Sequence, residues 1–226
     1  MQLIEFFDVN FSYIDNENLI EIFVSVPESG GNKIIPTGLT KPGDAYAVTA
    51  TESGKIGVYK FEVQVVAGSG KYEKSGTGSN SQTKESIKTV FNYFKANAKS
   101  ISQSISVKEK DYFLHVQDLY GVGMSEELAL SAFISLCSGA IEKPLQEQTA
   151  ILGSMKIGGS VGVLENLSGL LQVCLDAGAK RILIPISSAG KIATVPPDLF
   201  SKFQISFYGD SIDLVYKSMA LFNSYQ

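Results

Sequence analysis

Several side chains in this sequence are of types that could do chemistry. Ser125 stands in the turn Gly121-Val122-Gly123-Met124-Ser125-Glu126-Glu127, just ahead of an apolar run. A hydroxyl there becomes a nucleophile only if a base takes its proton. Lys156, in Met155-Lys156-Ile157-Gly158-Gly159, is a candidate base where surroundings depress its pKa. His115, the one histidine, supplies with Asp118 and Ser125 the residue types of a Ser-His-Asp triad. Gly68-Ser69-Gly70-Lys71 invites a phosphate-loop reading.

Spacing removes two of these. His115, Asp118 and Ser125 fall on one strand and the loop after it, where nucleophile, base and orienter do not converge. A lone histidine in the apolar strand Phe113-Leu114-His115-Val116 reads as a structural hydrogen-bonder. A phosphate loop needs a glycine where Val65 stands and a Ser or Thr where Tyr72 stands, so the Gly-Ser-Gly-Lys segment is expected to be a turn between strands. Ser125 also has a non-catalytic use as a helix N-cap, with Glu126 and Glu127 in the first turn where the helix dipole favours carboxylates.

The elements that must position these residues follow from periodicity. Leu3 to Val9 and Leu19 to Val26 are rich in aromatic and β-branched residues and flank the turn-forming Asp15-Asn16-Glu17-Asn18, which predicts a hairpin. Lys41-Pro42-Gly43-Asp44 is a second turn. A further hairpin is expected from Tyr46–Thr51 and Ile56–Val66, the second arm alternating apolar and polar residues. Ile87, Val90, Phe91 and Phe94 make one apolar face on a helix over Ser81 to Lys99. Lys84, Lys88, Lys95 and Lys99 lie on its opposite face, a solvated face by default, with nucleic-acid contact through Lys84, Lys88 and Lys95 as the alternative. Ile105–Val107 and Phe113–Val116 read as strands, and Met124 to Gly139 as a buried central helix. Two short strands around Gly153 and Gly158-Gly159 come next, then a helix capped by Asn166 or Ser168 and ended by Gly178. Arg181 to Ile186 is expected to be a strand covered on both sides, followed by a short helix from Pro196-Pro197, a strand over Ile205–Tyr208 and a final helix over Ser211–Phe222.

Composition sets the class. The chain has 226 residues, 44% hydrophobic and 19% charged, with net charge −4 and Arg181 as its only arginine, which argues for a globular protein without a strong nucleic-acid footprint. Cys137 and Cys174 sit in apolar helical patterns with no disulfide or zinc spacing, so reduced thiols in a cytoplasmic setting are expected. Met1 to Phe7 lacks the charged and apolar regions of a leader, and no stretch approaches membrane-spanning length.

One pattern is more specific. Val65-Val66-Ala67-Gly68-Ser69-Gly70-Lys71-Tyr72, then Ser75-Gly76 and Lys84-Glu85-Ser86-Ile87, resembles the Lon protease proteolytic domain. There a Pro-Gly-Ser-Gly-Lys-Leu turn precedes Thr-Gly and a helix with Lys-Glu-Ser; Ala67 replaces the proline and Ser75 the threonine. His115-Val116, Gly153, Gly159 and Ala177-Gly178-Ala179-Lys180 extend the resemblance from about residue 45 to the C-terminus. Within that superfamily the chain is most similar to the Lon-like C-terminal domains of BREX-type phage-defence ATPases, where the likeness reaches back to residues 20 to 40.

The resemblance implies an α/β (α+β) fold of mixed sheet and packed helices over 45–226, with a β-rich extension over 1–44. It implies assembly into rings beside an AAA+ ATPase domain, with ATP, and DNA, engaged only through that domain, and no cofactor or metal in this chain. It also locates the Ser-Lys dyad of Lon proteases. The ungapped match places Glu127 at the serine and Leu170 at the lysine, with Glu165-Asn166 in place of a Gly-Gly pair. Leucine accepts no proton, so one reading is a protease-like scaffold and oligomerisation module without protease chemistry. The other is a serine peptidase with a shifted dyad of Ser125 and Lys156.

Overall fold

The fold was obtained as a computed structural model, which describes residues 11–15, 18–22, 33–156 and 158–221. The chain divides into two compact units, 1–34 and 35–226. In the first, β1 (Phe11–Asp15) pairs antiparallel with β2 (Asn18–Ile22), from Phe11↔Ile22 to Asp15↔Asn18. The two strands flank Asn16 and Glu17, which lie outside the described residues, and β1 occupies Phe11–Asp15, a segment the periodicity reading left out of the first arm. Residues 3–9 and 23–26, expected to be strand, lie outside the described residues.

The second unit is built on a seven-stranded mixed sheet with order β5-β6-β4-β3-β7-β8-β9. β3 (Asp44–Ala50) and β4 (Ile56–Ala67) form the expected hairpin, Ala47 opposite Tyr59, and β4 pairs antiparallel with β6 (Lys110–Asp118), Phe61 opposite Val116. β5 (Tyr72–Ser75) lies parallel to β6 at one edge. On the other side β7 (Thr149–Ile151), β8 (Arg181–Pro185) and β9 (Gln204–Tyr208) run parallel to β3 and to one another. β6 shows the strand period plainly: Tyr112, Leu114 and Val116 are buried, while Phe113, His115 and Gln117 face out.

Helices cover both faces, α1, α2 and α5 on one and α3 and α4 on the other. α1 (Ser81–Ile101) starts where Asn80 Oδ1 accepts from Gln82 N–H at 2.8 Å and Thr83 N–H at 3.2 Å. Its apolar face carries Phe91 stacked on Tyr72 at 4.2 Å and Phe94 edge-on to Tyr112 at 5.4 Å. α2 (Ala129–Ile141) is buried all round from Ala129 to Gly139. Its serines tie in the turn before β3: Gly43 N–H donates to Ser138 Oγ at 2.9 Å, and Ser135 Oγ donates to Gly43 C=O. α3 (Leu167–Asp176) is capped by Asn166 and closed by Gly178 at φ +93°, with Ala179 N–H reaching Cys174 C=O at 2.9 Å. α4 (Pro197–Phe200) and α5 (Ser211–Ser218) complete the set.

Four details depart from the periodicity reading. Ile105–Val107 is not a strand: Ile105 is a buried plug after α1 and Val107–Glu109 a 3-10 turn. The central helix begins at Ala129 after a 3-10 turn, not at Met124. Residues 155–163 contribute one antiparallel bridge, Met155↔Val161, instead of a strand. Ile186–Thr194 is a run of 3-10 turns with no sequence warning.

Candidate functional site

The glycine turns are occupied by the chain's own carboxylates. Asp111 accepts the backbone N–H groups of Ser69 at 2.7 Å and Lys71 at 2.8 Å, which holds its carboxyl below the usual carboxylate range. A Cβ at Gly68 would lie 2.1 Å from that carboxyl carbon. The segment that suggested a phosphate cradle is therefore filled from within. Asp118 does the same for the turn before α2, accepting from Tyr120 at 3.1 Å, Gly121 at 2.9 Å and Gly123 at 2.7 Å. Buried Tyr59 closes that turn by donating its hydroxyl to Gly123 C=O at 2.6 Å.

The three triad types have three separate uses. His115 Nδ1 shares a 2.9 Å hydrogen bond with Ser75 Oγ on β5, facing out of the sheet, while Asp118 holds the turn. Ser125 is 4% exposed and caps the 3-10 turn, its Oγ accepting from Glu127 N–H at 3.3 Å.

Glu127 points instead to β3, where Thr49 Oγ1 donates to its Oε2. Thr49 is 4% exposed, so this pair is the one polar link from the dyad region into the sheet found among the described contacts of Glu127's side chain. Leu170, in the first turn of α3, is 4% exposed and belongs to the buried apolar set. Lys156 is exposed, and its backbone forms a tight turn in which Gly159 N–H donates to Lys156 C=O at 2.8 Å. Gly159 rests on Tyr93: a Cβ there would meet the Tyr93 hydroxyl at 2.1 Å, and that hydroxyl is also 3.0 Å from Ser211 Oγ.

These elements enclose a cavity of about 680 Å³. One wall is the N-terminal half of α1, with Glu85, Ser86 and Tyr93; opposite stand Glu126 and Glu127 of the 3-10 turn and Ser154 and Lys156 of the loop after β7. The structure thus brings Glu127 and Lys156 to one cavity, leaves Leu170 in the core and leaves Ser125 off the cavity wall. No hydrogen bond joins Ser125 and Lys156 among the described residues. Sequence reasoning missed Thr49, Glu85, Tyr93 and Ser154. The Lys-Glu-Ser motif of α1 was the one available signal, since it marks the helix face that lines the cavity.

Among the described residues no helix is long and apolar enough to cross a membrane. The model of the Lon protease (S16) C-terminal proteolytic domain matches residues 35–221. The chain is 55% identical over 217 residues to a Lon-like protease BrxL of Bacillus cereus, covering 96% of this chain and 32% of that protein. It is 51% identical over 218 residues to a Lon-like protease BrxL of Escherichia coli, covering 96% and 31%. A more distant match, 27% over 84 residues and 36% of this chain, is an archaeal Lon protease of Methanothermobacter thermautotrophicus. The chain therefore spans about a third of the length of the two BrxL relatives. With the mixed sheet, its packed helices and these matches in agreement, the chain belongs to the Lon protease (S16) C-terminal proteolytic domain family.

Proposed function

We propose that this chain is a Lon-type domain without a Ser-Lys dyad, acting as an oligomerisation and scaffold module in a larger BrxL-like protein of BREX phage defence. The observation that carries the reading is the state of the dyad positions. Glu127 is tied to Thr49, Leu170 is buried, and the nearby Ser125 hydroxyl is buried as a cap. A nucleophile needs a free hydroxyl beside a base that can take its proton, and neither position offers one. In this reading copies assemble into a ring in the cytoplasm, and ATP and DNA are engaged through an AAA+ ATPase region elsewhere in the protein.

A second reading keeps a peptidase with a shifted dyad. The observation favouring it is that Lys156 shares the cavity with Glu126, Glu127 and Ala129, close in sequence to Ser125. Cleavage of casein and of a fluorogenic peptide library without ATP, beside Ser125→Ala, separates the two. The scaffold reading expects no turnover in either protein, with light scattering reporting assembly. Turnover abolished by Ser125→Ala overturns it. Losing the cap costs about 1 kcal/mol, so the variant stays folded.

A further inference from the structure

The chain's charge is unevenly placed. Its formal net charge is −4, yet between residues 71 and 110 there are eight lysines against three carboxylates, Glu73, Glu85 and Glu109. The weak nucleic-acid footprint read from overall composition does not describe this segment. At 100° per residue Lys84, Lys88, Lys95 and Lys99 fall within an arc of about 60° on α1 and span about 22 Å along it. All four are exposed. The helix has one acid, Glu85, and it lines the cavity. β5 extends the stripe: Lys74 Nζ donates to Lys84 C=O. Partial burial, with the nearby charges of Lys88 and Lys84, lowers the Lys74 pKa against the opposing pull of Glu85.

None of these five lysines is paired with a carboxylate among the described residues, although Lys60, Lys191 and Lys217 each are. Besides Lys74, two are held in place by other means. Lys95 Nζ lies 5.2 Å from the centre of the Phe91 ring, and Lys99 Nζ donates to Gln103 C=O at 2.9 Å. The stripe also lacks an apolar centre. The exposed large hydrophobic residues, such as Leu39, Phe113 and Ile186, are all off α1. A protein partner is expected to bury an apolar core within a polar rim, whereas a polyphosphate backbone is met by ammonium groups alone.

We infer that the lysine face of α1, continued by Lys74 of β5, is a docking surface for the phosphate backbone of a nucleic-acid duplex. Binding is independent of sequence and driven by counterion release. It adds a contact within this domain to whatever an ATPase region supplies, and it holds whichever reading of the dyad is right.

The test is fluorescence anisotropy of a labelled 24-base-pair mixed-sequence DNA duplex titrated with the 226-residue chain from 50 to 200 mM KCl. With about four phosphates neutralised, the slope of log K against log salt is about −3.6, and affinity falls about 150-fold over that range. Replacing Lys84, Lys88 and Lys95 by Gln brings the slope to about −0.9, a fall of only about 3.5-fold. Arg at the same three positions keeps the wild-type slope. Gln at Lys55, Lys180 and Lys202, exposed lysines elsewhere, makes the same change in net charge and leaves the slope unaltered. The inference is overturned by no binding at 50 mM KCl, or by equal loss in both Gln triples. It is also overturned if a polyglutamate peptide or the single strand binds more tightly than the duplex; polyglutamate would point to an acidic protein partner.

Discussion

Tyr208 and Gly153 test the packing beneath the cavity. The Tyr208 hydroxyl donates to Leu152 C=O at 2.6 Å, and both residues are fully buried. Tyr208→Phe leaves that carbonyl unpaired where water cannot reach it, a cost of about 1–3 kcal/mol. Taking about 2 kcal/mol, a domain of this size loses about 4–8 °C in Tm. Gly153 follows at φ +131°, and a Cβ there would lie 2.2 Å from the Tyr208 oxygen and 3.0 Å from Pro185 Cγ. Gly153→Ala should therefore displace the hydroxyl, adding its loss of about 2 kcal/mol to a backbone strain of about 1–2 kcal/mol. In the Tyr208→Phe background the hydroxyl is already gone, so the same substitution costs only the strain. Urea unfolding of the four proteins, with m constant, gives a coupling of about 2 kcal/mol. Additive costs, or a Tyr208→Phe loss below about 0.5 kcal/mol, would refute both the bond and the clash.

Three more perturbations follow from described contacts. Glu127→Ala leaves the buried Thr49 hydroxyl without its acceptor and should destabilise by about 1–3 kcal/mol, read by the same unfolding assay; an unchanged midpoint would remove that link. Asp111 has its pKa lowered by the Ser69 and Lys71 N–H groups, so its stabilisation is complete above the unfolded value of about 3.9 and is lost as pH falls through the lower folded value. Asp111→Asn should flatten the stability curve below about pH 4, and an acid limb identical to wild type would contradict the assignment. Cys137 and Cys174 are fully buried, and burial raises both thiols. A thiol reagent should label neither in the folded protein and both in denaturant; labelling of the native state would show an opening that the packing does not allow.

Elements with a clean period were legible in the sequence. The alternation in β4, the 87-90-91-94 face of α1, and the Asn166 and Gly178 ends of α3 all depend on neighbours in the chain, and each formed where expected. Ile105 misled because an apolar residue beside a helix end can plug the core without being extended. The start of α2 was misplaced because Ser125 caps equally well a 3-10 turn, and nothing local distinguishes that turn from the first turn of the helix. The dyad positions were read from resemblance, but what those side chains touch was not. Glu127 meets Thr49 across 78 residues, and the cavity draws on α1, the 3-10 turn and the loop after β7, so both depend on tertiary assembly.

The strand order has a mechanical consequence. The leaf β5-β6-β4-β3, antiparallel except at its β5 edge, and the parallel leaf β7-β8-β9 meet along a seam where Ala47 and Ile151 are the sole registered pair. α2 bridges it, bonded to Gly43 ahead of β3 and packed against α5 beside β9. A join this narrow is expected to be where the sheet parts first on unfolding, the amides of β7, β8 and β9 exchanging hydrogen as one block ahead of those of β4 and β6.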